Sequence, residues 1–257
     1  MRRRLDLAWR ITATGFCFMV FGWAGVVLLL LAPILLLLIR DTGRRLRVAR
    51  SIVHHWFRIF IELMRVTGVL TYELHGIERL ARPGLLVLAN HPSLIDVVFL
   101  ISLIPQATAV VRSNLRRNPF LRGPVQAAGY ITNDQGIELI DDARAHLARG
   151  DCIVIFPEGT RTPESGEIKL QRGAANVAIR CRQPITPVSI TCTPRGLAKY
   201  QKWYQVAPTR MHFVIRVHDD LQVDRFIEAD ASEPLAVRRL NAHLKDFFEQ
   251  ESGRAAS

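Results

Sequence analysis

A histidine five residues ahead of an aspartate, at the end of an apolar run, can move protons. Leu85-Leu86-Val87-Leu88-Ala89 leads into Asn90-His91-Pro92-Ser93-Leu94-Ile95-Asp96. Pro92 disfavours helical geometry at His91, so the imidazole is expected on an extended residue where a strand ends, with Asp96 one turn inside the following helix. A carboxylate then reaches Nδ1, fixes the tautomer and leaves Nε2 free to take a proton from a hydroxyl. Ser93-x-x-Asp96 also fits a capping box, which would account for Asp96 without chemistry.

A second segment has the same build. Cys152-Ile153-Val154-Ile155-Phe156 reads as a buried strand and ends in Pro157-Glu158-Gly159-Thr160-Arg161-Thr162. Gly159 permits close backbone approach, Glu158 can orient a hydroxyl or a loop, and Arg161 offers a planar fork for phosphate. A charged turn with a surface ion pair is the plainer reading of these residues. Open α/β sheets place their sites at strand C-termini, where both segments fall.

The elements that must hold these residues follow from Thr71 onward, where short β-rich runs alternate with helical ones. Strands are predicted at Thr71–His75, Leu85–Ala89, Ala109–Arg112, Tyr130–Thr132, Cys152–Phe156, Ile185–Cys192 and Met211–Val217. Helices are predicted at Ser93–Leu103, Asn114–Ala128, Ile137–Arg149, Gly173–Arg182 and Pro234–Gln250. The expected fold is α/β, a mixed and largely parallel sheet flanked by helices, behind an N-terminal membrane-embedded helical anchor. Gly159 to Glu167 is a long polar loop of the kind that carries function.

The N-terminus is of another kind. Ile11 to Ile39 holds no charged residue, and as one helix it would span about 44 Å, more than a bilayer's hydrocarbon core. Its apolar run is too long for a cleaved signal peptide. Arginines flank it on both sides, and Pro33 can break a helix, so a single span and a re-entrant hairpin both fit. The expected organisation is therefore an anchor over 1–50, an amphipathic helix over 51–70, interfacial or packed on the domain, and an α/β domain over 71–257. Leu197–Val206, with Tyr200, Trp203 and Tyr204 beside Lys199 and Lys202, is a candidate for a further interfacial contact.

Charge agrees with a membrane. The formal net charge is +11 over 257 residues, and the first 50 residues carry nine arginines against Asp6 and Asp41. That places the positive field beside the anchor, as attraction to anionic head groups requires. No aromatic-interleaved basic stripe follows, so nucleic acid is not an expected partner. Four cysteines without a C-x-x-C pair suggest neither a disulfide framework nor a metal knuckle, and no nucleotide-binding loop or nucleophile elbow is present.

Taken together, the segments at 90–96 and 156–162 resemble the first and third blocks of the glycerolipid acyltransferase family typified by bacterial lysophosphatidic acid acyltransferases. His91 and Glu158 lie 67 residues apart, which suits that family. Pro184-Ile185-Thr186-Pro187-Val188 is similar to its fourth block, and Leu170-Gln171-Arg172-Gly173-Ala174-Ala175 resembles the segment between. The likeness runs roughly from Thr71 to Thr193. It implies that His91 is the general base on an acceptor hydroxyl, that Asp96 orients it, and that the hydroxyl attacks an acyl thioester, acyl-ACP or acyl-CoA, without a cofactor. Glu158, Gly159 and Arg161 would bind a phosphorylated acceptor, with Asn90, Ser93 and Thr160 completing the substrate-binding set. Arg112, Asn114 and Leu115 would line the cleft.

One block departs from the pattern. After Gly129 the family usually shows an aromatic-aliphatic-Asp-Arg block, and this chain reads Tyr130-Ile131-Thr132-Asn133. The expected reaction is acylation of lysophosphatidic acid at the cytoplasmic face of an inner membrane. Acylation of another lyso-lipid, such as a lyso-amino-acid or cell-envelope pigment lipid, is the alternative. A thioester or phosphoester hydrolase and an inactive membrane scaffold also remain open.

Overall fold

A computed structural model describes residues 2–111, 125–132, 136–202, 204–227 and 232–254. Arg112, Asn114, Leu115, Asn133 and Trp203 lie outside the described residues, as does most of the helix expected over 114–128.

The chain opens with two long helices, α1 (Arg2–Leu38) and α2 (Thr42–Val66). Strands and helices then alternate: β1 (Leu70–His75), β2 (Leu86–Ala89), α3 (Asp96–Leu103), β3 (Ala107–Val111), β4 (Ile131–Thr132), α4 (Gly136–Ala148), β5 (Cys152–Ile155), α5 (Gly173–Cys181), β6 (Ile185–Thr193), β7 (Met211–Val217) and α6 (Glu233–Arg254). Every strand predicted from the pattern is present to within two residues at its described ends. The strands form one sheet in the order β1-β7-β6-β2-β5-β3-β4. Only β6 and β7 pair antiparallel among the described strands.

Both faces of the sheet are covered, which is why central strands read as continuous apolar runs rather than alternating ones. In β2, Val87 and Ala89 pack toward α2 and α3, while Leu86 and Leu88 pack toward α4, α5 and α6. In β5, Val154 and Ile153 divide between the same two layers. At the usual worth of buried apolar surface, each such Leu or Ile contributes about 1.5–3 kcal/mol.

α2 is longer than the expected 51–70 helix because Asp41 caps it: its carboxylate accepts the Arg44 N–H at 2.6 Å. The arginines from Arg44 to Arg50 thus belong to this helix. Its apolar stripe, Val53, Phe57, Phe60, Ile61 and Met64, is buried, and His54 Nδ1 lies 2.8 Å from the Ile101 carbonyl at the α3 side. Of the two placements open from sequence, α2 takes the one packed on the domain.

α1 runs as one helix through Pro33, without a re-entrant turn. It lies antiparallel to α2: Trp9 Nε1 donates to the Thr67 carbonyl at one end, and Phe18 and Phe21 meet Phe60 at ring distances of 5.9 and 4.6 Å further along. Arg10, Ala13, Thr14, Cys17, Ala24 and Leu28 form its buried stripe, of which Ala13, Thr14, Cys17 and Ala24 are small enough to let helices approach closely. Phe16, Met19, Trp23, Leu30, Ile34 and Leu37 face outward. By length and composition, Arg4–Leu31 is able to cross a membrane.

Candidate active site

Register brings the two sequence segments together. Leu88 of β2 pairs with Ile155 of β5, so the chain leaves these neighbouring parallel strands side by side, as Asn90-His91 on one and Phe156-Pro157-Glu158 on the other. Both exits are at strand C-termini, where an open sheet leaves room for a ligand.

His91 Nδ1 lies 2.8 Å from Asp96 Oδ2. Asp96 is fully buried, and its carboxylate also accepts the Ser93 N–H at 2.6 Å and the Ser93 hydroxyl at 2.5 Å. As an ionised acceptor it requires Nδ1 to carry the proton, which leaves the Nε2 lone pair as the ring's base. Phe156 stacks on the ring with centroids 4.3 Å apart. Asp96 is the first residue of α3 rather than a residue one turn inside it. The turn 93–95 is held by the aspartate's own hydrogen bonds, and the helix starts only after it. The N-cap of α3 is Ile95, without a side-chain cap bond, so the capping box expected from Ser93 does not form; the carboxylate instead ties the 93–95 turn to the imidazole, favoured by its place at the helix N-terminus.

Glu158 closes the two loops on each other. Its Oε1 accepts the His91 N–H at 2.8 Å and the Thr162 hydroxyl at 2.9 Å, while the Thr162 N–H donates to the His91 carbonyl at 2.7 Å. Burial pushes the Glu158 carboxyl above the usual carboxylate range, opposed by those two donors. Gly159, at φ +65°, ends the turn that carries it, its N–H donating to the Phe156 carbonyl at 2.9 Å.

Three residues expected to touch substrate are turned into the protein. Asn90 is 3% exposed, and its amide donates to the Ile190 carbonyl at 2.8 Å and accepts the Ile190 N–H at 2.7 Å, so it extends the β2–β6 pairing beyond the end of β2. Ser93 braces Asp96, and Glu158 holds His91 by its backbone. Their polar atoms are committed because buried groups must find partners. Thr160 and Arg161 stay partly exposed at the same mouth. Arg161 Nη1 donates to the Leu197 and Ala198 carbonyls at 2.9 and 2.8 Å, leaving its remaining donors for an anion. Burial draws its guanidinium below the ordinary value, and Asp96 pulls it back up.

Sequence reasoning missed Phe156 as the ring's partner, Thr162 as the tie between loops, and Ile190, Leu197 and Ala198 as backbone partners of the site. An aromatic closing a β-run before Pro157 was a readable signal. The other three act through backbone atoms that no side-chain pattern marks. Among the described residues, no cluster of His, Cys, Asp or Glu could hold a metal ion.

Comparison with known proteins bears on this geometry. Residues 71–191 match the acyltransferase family model. Over 167 residues the chain is 28% identical to the 1-acyl-sn-glycerol-3-phosphate acyltransferase of Pseudomonas aeruginosa, covering 61% of this chain and 65% of that protein. It is 28% identical over 145 residues to the enzyme of the same name from Saccharomyces cerevisiae, covering 53% of this chain and 48% of that one. The chain thus spans less than two thirds of the length of either relative. The crystal structure of the Thermotoga maritima 1-acyl-sn-glycerophosphate acyltransferase PlsC superposes with a TM-score of 0.70 at 19% identity, covering 97% of each chain. That likeness is one of fold.

Proposed function

Because residues 71–191 match the acyltransferase family model, we propose that the chain is a membrane-bound O-acyltransferase. It moves an acyl chain from an acyl thioester to the free hydroxyl of lysophosphatidic acid, giving phosphatidic acid. The observation that carries the reading is the 2.8 Å contact between His91 Nδ1 and the buried Asp96.

In this mechanism the acceptor hydroxyl gives its proton to His91 Nε2 as its oxygen bonds to the thioester carbonyl carbon. Asp96 stabilises the imidazolium that results. The tetrahedral intermediate then collapses, the carbon–sulfur bond breaks, and the leaving thiolate takes the proton from His91, which restores the neutral ring. No acyl-enzyme is formed. Glu158, Ser93 and Asn90 hold the base in place through the contacts described above. Arg161, with Gly159, Thr160 and Arg112, receives the acceptor phosphate, since a guanidinium fork matches phosphate oxygens.

The donor is the thioester of an acyl carrier protein or of coenzyme A. The outward apolar face of α1 associates with the inner membrane, and the catalytic domain lies on its cytoplasmic side, toward which the slight arginine excess after the apolar run points. The basic N-terminus concentrates anionic lyso-lipid there.

A different lyso-lipid acceptor is the second reading, favoured by Asn133 at the position where the family pattern has arginine. One lost charge-assisted contact is worth about 1.5–3 kcal/mol of acceptor binding. Purified protein assayed with one acyl thioester and a panel of lyso-lipids tests both. Preferred acylation of lysophosphatidic acid is the expected result, and strict preference for a phosphate-free acceptor would overturn it.

A further inference from the structure

We propose that the segment 194–208 is a second membrane-contacting surface, which seats on anionic lipid head groups and fixes the His91 mouth at the depth where α1 meets the bilayer. This rests on the membrane association proposed above and adds a distinct contact to it.

Among its described residues the segment presents amphipathic side chains outward. Tyr200 is 85% exposed and Tyr204 is 47% exposed. A lysine lies over each ring: Lys199 Nζ is 5.2 Å from the Tyr200 centroid, and Lys202 Nζ is 5.6 Å from that of Tyr204. Tyrosine and lysine suit the head-group layer, where a ring rests against acyl chains and an ammonium meets phosphate. Arg195 and Arg210 are exposed nearby, against the carboxylates of Glu164, held by Gln201 at 3.1 Å, and of Asp6, paired with Arg10 at 3.0 Å. The local balance is positive, complementary to an anionic surface.

Position is the second observation. Arg10, itself 4% exposed, donates from Nη1 to the Ala207 carbonyl at 2.5 Å and from Nη2 to the Pro208 carbonyl at 2.8 Å. Arg10 is also the last charged residue before the uncharged run from Ile11 to Ile39. Beside it Trp9 is 59% exposed, as expected of an aromatic at a membrane boundary. The segment is therefore fastened to α1 where charge gives way to hydrocarbon.

Its other end is fastened to the site. The Leu197 carbonyl accepts the Leu94 N–H at 3.0 Å and Arg161 Nη1 at 2.9 Å. Leu94 follows Ser93 within the segment that joins His91 to Asp96. A head-group contact at Tyr200 is thus transmitted to both loops of the mouth, by a backbone bond to Leu94 and by the Arg161 guanidinium.

Sedimentation with vesicles tests the proposal, using the full chain and two vesicle types, pure phosphatidylcholine and phosphatidylcholine mixed with phosphatidylglycerol. A Lys199→Ser/Lys202→Ser variant should partition roughly thirty-fold more weakly onto the mixed vesicles, the usual worth of two lysines at an anionic surface, and change little on the pure ones. Lys199→Arg/Lys202→Arg should restore binding, which separates lost charge from lost fold. Tyr200→Ser should weaken binding to both vesicle types. If the wild-type chain binds and every variant binds equally well, this surface is not used. A wild-type chain that binds neither vesicle would remove the membrane reading and this proposal with it.

Discussion

The carboxylate of Glu158 reaches back 67 residues to accept the main-chain N–H of His91 at 2.8 Å. A glutamate that sequence motifs would hand to the substrate is thereby spent on placing the base. Substitutions around the mouth should accordingly separate into those that remove a reacting group and those that let it drift.

His91→Ala removes the reacting group. Transfer should fall by about a hundredfold to ten-thousandfold, the usual worth of a positioned general base, while thermal unfolding stays cooperative. A transfer rate near wild type in a thioester-release assay would reject the base assignment.

Asn90→Ala acts on position instead. It leaves the backbone of Ile190 buried and unpaired, so chemical denaturation should show a loss of about 1–3 kcal/mol. KM for the acceptor should stay close to wild type. A large KM rise with unchanged stability would mean that the amide touches substrate after all.

Glu158 predicts a pH dependence. Its carboxyl binds its proton more tightly in the folded chain than in the unfolded one, because burial raises it above its ordinary 4.5. In the window from the ordinary value up to the raised one, the native state holds more protons than the unfolded state, so stability falls as pH rises. Glu158→Gln retains an oxygen for the His91 N–H and should flatten this part of the curve, read from denaturation midpoints across acid to neutral pH. An unchanged slope would locate the dependence elsewhere.

Arg161→Lys keeps a charge and loses the fork. Acceptor KM should rise by about tenfold or more, on the usual worth of a charge-assisted bond, with kcat less affected. Equal loss with phosphorylated and phosphate-free acceptors would instead point to the Leu197 and Ala198 carbonyls as the residue's main role.

The strands were legible because apolar runs bounded by Pro, Gly and Asn have little else to become, and His91 with Asp96 was legible because Pro92 and the five-residue spacing constrain the geometry. The start of α2 was not: the arginines after Asp41 look like a flank of the apolar run, and the cap is a single side-chain bond. Nor did Pro33 interrupt α1, whose helix continues through it. Asn90 was misplaced for a different reason. Its partner is a backbone pair 100 residues away, and an exposed-type residue next to a histidine looks available until the neighbouring strand is in place.

The antiparallel seam between α1 and α2 bears on how the protein can be handled. Ala13, Cys17 and Leu28 sit in one continuous core with Phe57, Phe60 and the sheet, so the first helix is not a tether that can be trimmed to gain solubility. Deleting residues 1–41 would strip a phenylalanine-rich face bare along α2, and the remainder should come out of solution as aggregate. Detergent or lipid that shelters the whole chain is the better starting point for purification.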